Sequence, residues 1–116
     1  MEKLYDLDFV NEMAGGNEEF INQLLELFVQ TVPESIELIN KHYENEDFEA
    51  LGKEAHKLKS TISTVKIPSF VDKIKEMEQI GKTGEGLNRL PQLMDDFNET
   101  MPLAVEQIQE KLQSQS

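Results

Sequence analysis

Cysteine is absent from this 116-residue chain, which removes disulfides, thiolate metal sites and cysteine nucleophiles together. Basic residues are scarce. Eleven Lys and Arg stand against 23 Asp and Glu, giving a net charge of −12 and a pI near 4.5. Nucleic acid and anionic membrane surfaces both demand a basic footprint, so neither is expected as a partner. No apolar run approaches the roughly 18 residues of a membrane-spanning helix. Met1 to Phe9 carries three acids and no apolar block, so it does not read as a signal peptide. Hydrophobic residues are only 38% of the chain, yet that suffices for one core and excludes wholesale disorder. The length fits one small domain over residues 1–116. An acidic, cytoplasmic, single-domain protein is what these absences leave.

Period-two alternation is missing as well, and apolar residues recur at helical spacing almost throughout. A short helix is expected around Leu7 to Met13, closed by Gly15 and Gly16, which tolerate left-handed C-terminal geometry. Asn17 can cap a long helix, with Glu18 and Glu19 against the positive end of its dipole. Its stripe of Ile21, Leu24, Leu25, Phe28, Val32, Ile36, Ile39 and Tyr43 stays in phase across Pro33, which favours one bent helix over two. After a polar turn at Glu44 to Glu46, Phe48, Leu51, Ala55, Leu58, Ile62 and Val65 follow at spacings of 3, 4, 3, 4 and 3. Pro68 is placed to open the next helix, whose inner face is Phe70, Val71, Ile74, Met77 and Ile80. Gly81 to Gly86 reads as a loop. A last helix carries Leu87, Leu90, Met94, Phe97, Met101, Val105, Ile108 and Leu112, with fraying expected from Gln113. The pattern predicts an all-α fold, an antiparallel four-helix bundle with a short extra N-terminal helix. Its core should include Phe28, Leu51, Leu58, Ile62, Ile74, Phe97 and Val105.

Most chemical motifs dissolve on inspection. Gly81-Lys82-Thr83 lacks the glycine five residues earlier that a phosphate-cradling loop needs, because position 76 is Glu. Asn98-Glu99-Thr100 falls in a predicted helix of a chain without a secretion signal, so it is not read as a glycosylation site. Adjacent acids such as Asp95-Asp96 point about 100° apart on a helix and serve solvation rather than acid–base work. The spacing of the two histidines gives no support to a metal site. His42 lies near a helix end, where its positive form suits the dipole, and receives no role.

His56 stands apart. On a helical wheel the apolar seam of its helix spans roughly −80° to −180° relative to His56, which lies outside it. Its same-face neighbours are Gly52, Lys59, Ser60 and Ser63, three of them small. A histidine ringed by small residues is accessible to another macromolecule. Glycine inside a helix costs about 1 kcal/mol against alanine, so Gly52 implies close approach of something. Four lysines against one acid lie between Lys53 and Lys66, a basic island in an acidic chain. Lys59 is one turn from His56, where an ammonium could steady a phosphate on the imidazole.

Ala55-His56-Lys57-Leu58-Lys59-Ser60 resembles the A-H-x-L-K-G signature of histidine-containing phosphotransfer (Hpt) domains. Ala14-Gly15-Gly16-Asn17-Glu18-Glu19-Phe20, followed by Leu27-Phe28 and Thr31-Val32-Pro33, is similar to that family's first long helix. Met77-Glu78 falls where the third bundle helix often has Leu-Glu. The resemblance spans residues 5 to 110, with two departures: Ser60 in place of the usual glycine, and Lys66-Ile67-Pro68 in place of a small Gly-Ala turn.

The resemblance implies a phosphorelay intermediate that accepts a phosphoryl group on His56 from one receiver aspartate and donates it to another. It implies that one imidazole nitrogen, Nε2, is the nucleophile. Lys59 would stabilise the phosphate, and Gly52, Ser60 and Ser63 would leave room for the docking partner. The implied partners are a response-regulator receiver domain and a hybrid sensor histidine kinase, met by a monomer. No cofactor is expected on this chain, Mg²⁺ being carried by the receiver, and no autonomous kinase or hydrolase activity is expected. The alternative from another class is a phosphate-independent helical adaptor that binds receivers or other signalling proteins. The intact pair of His56 and Lys59 argues against it.

Overall fold

The computed structural model describes residues 3–114. Five helices follow one another: α1 (Asp8–Ala14), α2 (Glu18–Glu44), α3 (Phe48–Thr64), α4 (Val71–Thr83) and α5 (Leu90–Ser114), the last preceded by a single 3₁₀ turn, Leu87–Arg89. Among the described residues there is no strand, only one isolated bridge between Asp6 and Lys66. At 1.5 Å per residue a 27-residue helix is about 40 Å long. α2 has that length, and the molecule measures 42 × 22 × 22 Å.

Local chemistry sets the helix ends. Gly15 ends α1 with φ 60°, and the Asn17 side chain accepts from the Phe20 amide at 3.2 Å to start α2. α2 runs unbroken through Pro33, so the one-helix reading holds. Asp47 caps α3 by accepting from the Ala50 amide at 3.2 Å. α3 packs against both α2 and α4, and α5 packs against α2. Buried side chains from all five helices form one continuous core, with Phe70 and Phe97 in tilted contact at 5.7 Å between ring centroids.

Five details differ from the sequence reading. Leu87 lies in the 3₁₀ turn ahead of α5 and is 39% exposed, so it is not part of that helix's inner face. Pro68 does not open α4. Residues 68–70 form a turn, because Ile67 and Phe70, both fully buried, must first be tucked into the core. Gly81 is not loop but a buried residue in the last turn of α4, which continues to Thr83 and is stopped by Gly84 at φ 73°. Val105 is only half-buried, since the inner seam of α5 passes through Phe97, Met101, Ala104 and Ile108. Helix α5 extends through Gln113 to Ser114, where fraying was expected, and the remainder of the expected frayed tail lies outside the described residues. The other expected core members are all buried.

Candidate functional site

α3 presents His56 with 68% of its side chain exposed. The α3 seam turns Leu51, Ala55, Leu58 and Ile62 inward, and the histidine, out of phase with them, faces solvent. Ser60 and Ser63 are exposed on the same helix.

A carboxylate from α4 completes the arrangement. Glu78 Oε2 lies 3.2 Å from His56 Nδ1 and 2.9 Å from Lys59 Nζ, and Lys59 also reaches Oε1 at 3.2 Å. The Lys59 ammonium above all holds the Glu78 carboxyl below the usual range; burial opposes it next, and His56 adds a smaller lowering effect. It is therefore ionised at neutral pH. An ionised carboxylate can only accept hydrogen bonds, so the ring nitrogen that faces it must donate. His56 carries its proton on Nδ1, and in the neutral ring Nε2 keeps its lone pair. The tautomer of the neutral ring is thereby set by a partner on another helix.

The expected site residues divide. His56 and Lys59 are brought together, but through Glu78 rather than directly. Gly52 is fully buried, and the close approach it permits is to α4: a Cβ built on it would lie 2.9 Å from Gly81 Cα. It is thus a packing residue and not open docking space, although it also lines the foot of a groove of about 500 Å³ beside His56, with Glu49, Lys53 and Lys82 at the rim. The basic island is largely neutralised, as Lys53 meets Glu49 at 3.6 Å and Lys57 meets Glu54 at 3.8 Å. Among the described residues no cluster of three or more His, Cys, Asp or Glu side chains could hold a metal ion. Among the described residues no helix is long and apolar enough to cross a membrane.

Glu78 has no role in the sequence reading, which places it only beside Met77 on the border of the α4 seam.

Comparison with known proteins bears on this geometry. The family model of the Hpt domain matches residues 23–114. The fold is similar to the crystal structure of histidine-containing phosphotransfer protein B (HptB) from Pseudomonas aeruginosa PAO1, with a TM-score of 0.83, 21% identity and coverage of 98% of each chain. Comparison with curated proteins gives no match.

Proposed function

We propose, from the premise that this chain belongs to the Hpt domain family and is a phosphorelay intermediate of two-component signalling, that His56 carries the phosphoryl group. The observation that carries the assignment is the Glu78 contact on Nδ1, which in the neutral ring leaves the lone pair on Nε2 of a side chain that is 68% exposed. In the forward step the Nε2 lone pair attacks the phosphorus of a receiver's aspartyl phosphate. The P–O bond to the aspartate breaks, its electron pair leaves with the carboxylate, and the N–P bond forms. No proton has to leave Nε2, and the Nδ1 proton stays on the ring against Glu78. That carboxylate also offsets the positive charge the ring acquires. In the reverse step the ring leaves as a neutral imidazole with its Nδ1 proton in place.

Phosphoryl transfer has a loose, in-line transition state, so positioning and neutralisation of charge dominate. Lys59 orients Glu78 before transfer, and is within one turn of His56 to meet a phosphoryl oxygen afterwards. Ser60 and Ser63 give the exposed face of α3 a low profile for a receiver. Mg²⁺ belongs to the receiver in this reading, where it neutralises the transferring oxygens, and no residue of this chain is assigned to it. The family's partners are receiver domains and histidine kinases. A hybrid kinase upstream, a monomeric state, a cytoplasmic setting and an antiparallel bundle of α2 to α5 with α1 across one end complete the proposal.

The test is incubation with a labelled, phosphorylated receiver. The chain should take up label that is acid-labile and base-stable. His56→Gln should take up none, with stability within about 0.5 kcal/mol of the parent because the side chain is exposed. His42→Gln should behave as the parent. Label on His56→Gln sinks the assignment.

A further inference from the structure

Two buried glycines meet near one end of the contact between α3 and α4, one from the first turns of α3 and one from the last turn of α4. Each weakens its own helix by about 1 kcal/mol relative to alanine, so the contact they permit must offset that cost or serve another end. Neither leaves space for a side chain. A Cβ on Gly52 would lie 2.9 Å from Gly81 Cα and 3.3 Å from the carbonyl oxygen of Glu78. A Cβ on Gly81 would lie 2.5 Å from Gly52 Cα and 2.6 Å from the Phe48 carbonyl oxygen. The two backbones touch here, whereas helices separated by ordinary side chains stand about 8–10 Å apart between axes.

The contact is one turn from the chemistry on both helices. His56 is four residues beyond Gly52, and Glu78 is three residues before Gly81, on helices that cross this region in opposite directions. Glutamate has a shorter reach than lysine. At 3.2 Å its bond to His56 Nδ1 has little to spare, and a retreat of α4 by about 0.5–1 Å would carry it beyond hydrogen-bond range. Lys59, on a flexible four-carbon stem, could follow the carboxylate. The His56 ring could not.

We propose that Gly52 and Gly81 are positioning residues for the phosphoacceptor: by letting the helices touch, they place Glu78 close enough to set the tautomer of His56. The proposal rests on the reading of His56 given above and adds its cause. Moving the helices apart frees the ring to carry its proton on Nε2, the nitrogen that must attack, so transfer slows while the domain stays folded.

Nitrogen-15 NMR of the neutral imidazole reads the tautomer without any phosphate, so it is separable from the assignment of His56. The parent should show Nδ1–H, and Gly52→Ala should shift toward Nε2–H. Transfer from a phosphorylated receiver should fall about tenfold or more in Gly52→Ala, with far-UV circular dichroism unchanged. In a Glu78→Gln background, adding Gly52→Ala should slow transfer no further, because the glycine acts through the carboxylate. An Nε2–H ring in the parent overturns the proposal. So does a Gly52→Ala protein with parental tautomer and rate, or equal slowing in the Glu78→Gln background. If Gly52→Ala does not fold, Glu78→Asp withdraws the carboxylate by one methylene with both glycines intact. A shift toward Nε2–H then supports the distance argument, and retention of Nδ1–H refutes it. Label absent from His56 alongside the expected tautomer shift would defeat the functional assignment and leave the positioning intact.

Discussion

Replacing Glu78 with glutamine removes one charge and almost nothing of the side chain's shape. The parent carboxylate accepts from Lys59 at 2.9 Å and from His56 at 3.2 Å. An amide offers one acceptor oxygen and one donor nitrogen, and with the oxygen kept on Lys59 its NH₂ is turned toward His56. Where its NH₂ faces Nδ1, the ring must move its proton to Nε2. The stability cost follows from exposure. Glu78 is 21% and Lys59 32% exposed in their side chains. That places the pair between surface ion pairs, about 0.2–1 kcal/mol, and bonds to charged groups, about 1.5–3 kcal/mol. A loss of about 1 kcal/mol at pH 7 is expected. The pH dependence has a definite sign. Lys59 chiefly, with His56, holds the Glu78 carboxyl below its ordinary value of 4.5. A carboxyl that is harder to protonate when folded stabilises the fold above its unfolded pKa and gives that up as pH falls through the folded one. The gap between parent and Glu78→Gln should be full at pH 7, narrow as pH drops below about 4.5 and close in stronger acid. Urea unfolding across that range measures it, and a receiver-transfer assay at pH 7 should show slowing of about tenfold or more. Equal midpoints at pH 7, or a gap that survives in acid, refutes the ion-pair reasoning. An unchanged transfer rate refutes the tautomer argument.

Lys59→Ala should slow transfer and lower the yield of phospho-form, since Glu78 loses its main partner. Lys73→Ala removes a cation and its 3.1 Å pair with Asp96 on α5, yet should leave transfer within about twofold; equal losses would point to a general attraction for the receiver. Ser63→Gln adds bulk to the exposed face of α3 and should slow transfer without moving the melting temperature. Gly52→Gln should instead destabilise the domain, because its side chain would meet the backbone of α4; a native melting curve would contradict the packing. Phe97→Ala deletes a fully buried ring in contact with Phe70 and should cost about 3–5 kcal/mol in urea denaturation. A loss under about 1 kcal/mol would remove Phe97 from the core.

What could be read in advance was whatever is encoded within one helix. The Asn17 cap, the Gly15 stop and the 3-4 seam of α3 each depend on residues within a turn or two, and each stands in the structure. Exposure of His56 followed from the same arithmetic. What escaped depends on two helices at once. Gly81-Lys82-Thr83-Gly84 has the composition of a loop, and only the presence of Gly52 opposite makes a buried helical glycine favourable at 81. The wheel also held a clue to Gly52. It places that residue about 40° from His56 on the side of the seam, toward the helix that covers it. Glu78 lies 22 residues from His56, beyond any local pattern. Pro68 is a favourable first-turn residue, yet it does not start a helix because Ile67 and Phe70 both need the core.

The side of the ring on which Glu78 lies also governs time. A phosphoryl group on Nε2 would stand out in water, on a side chain already 68% exposed, with the one carboxylate bonded to the ring engaged at the opposite nitrogen. That carboxylate is badly placed to activate a water against phosphorus, since general-base help requires hydrogen-bond reach of the attacking molecule. If His56 is the phosphoacceptor proposed above, the same geometry supplies no clock for erasing the message. Persistence of the signal would be decided by the intrinsic durability of a phosphoramidate in water and by how soon the next receiver arrives.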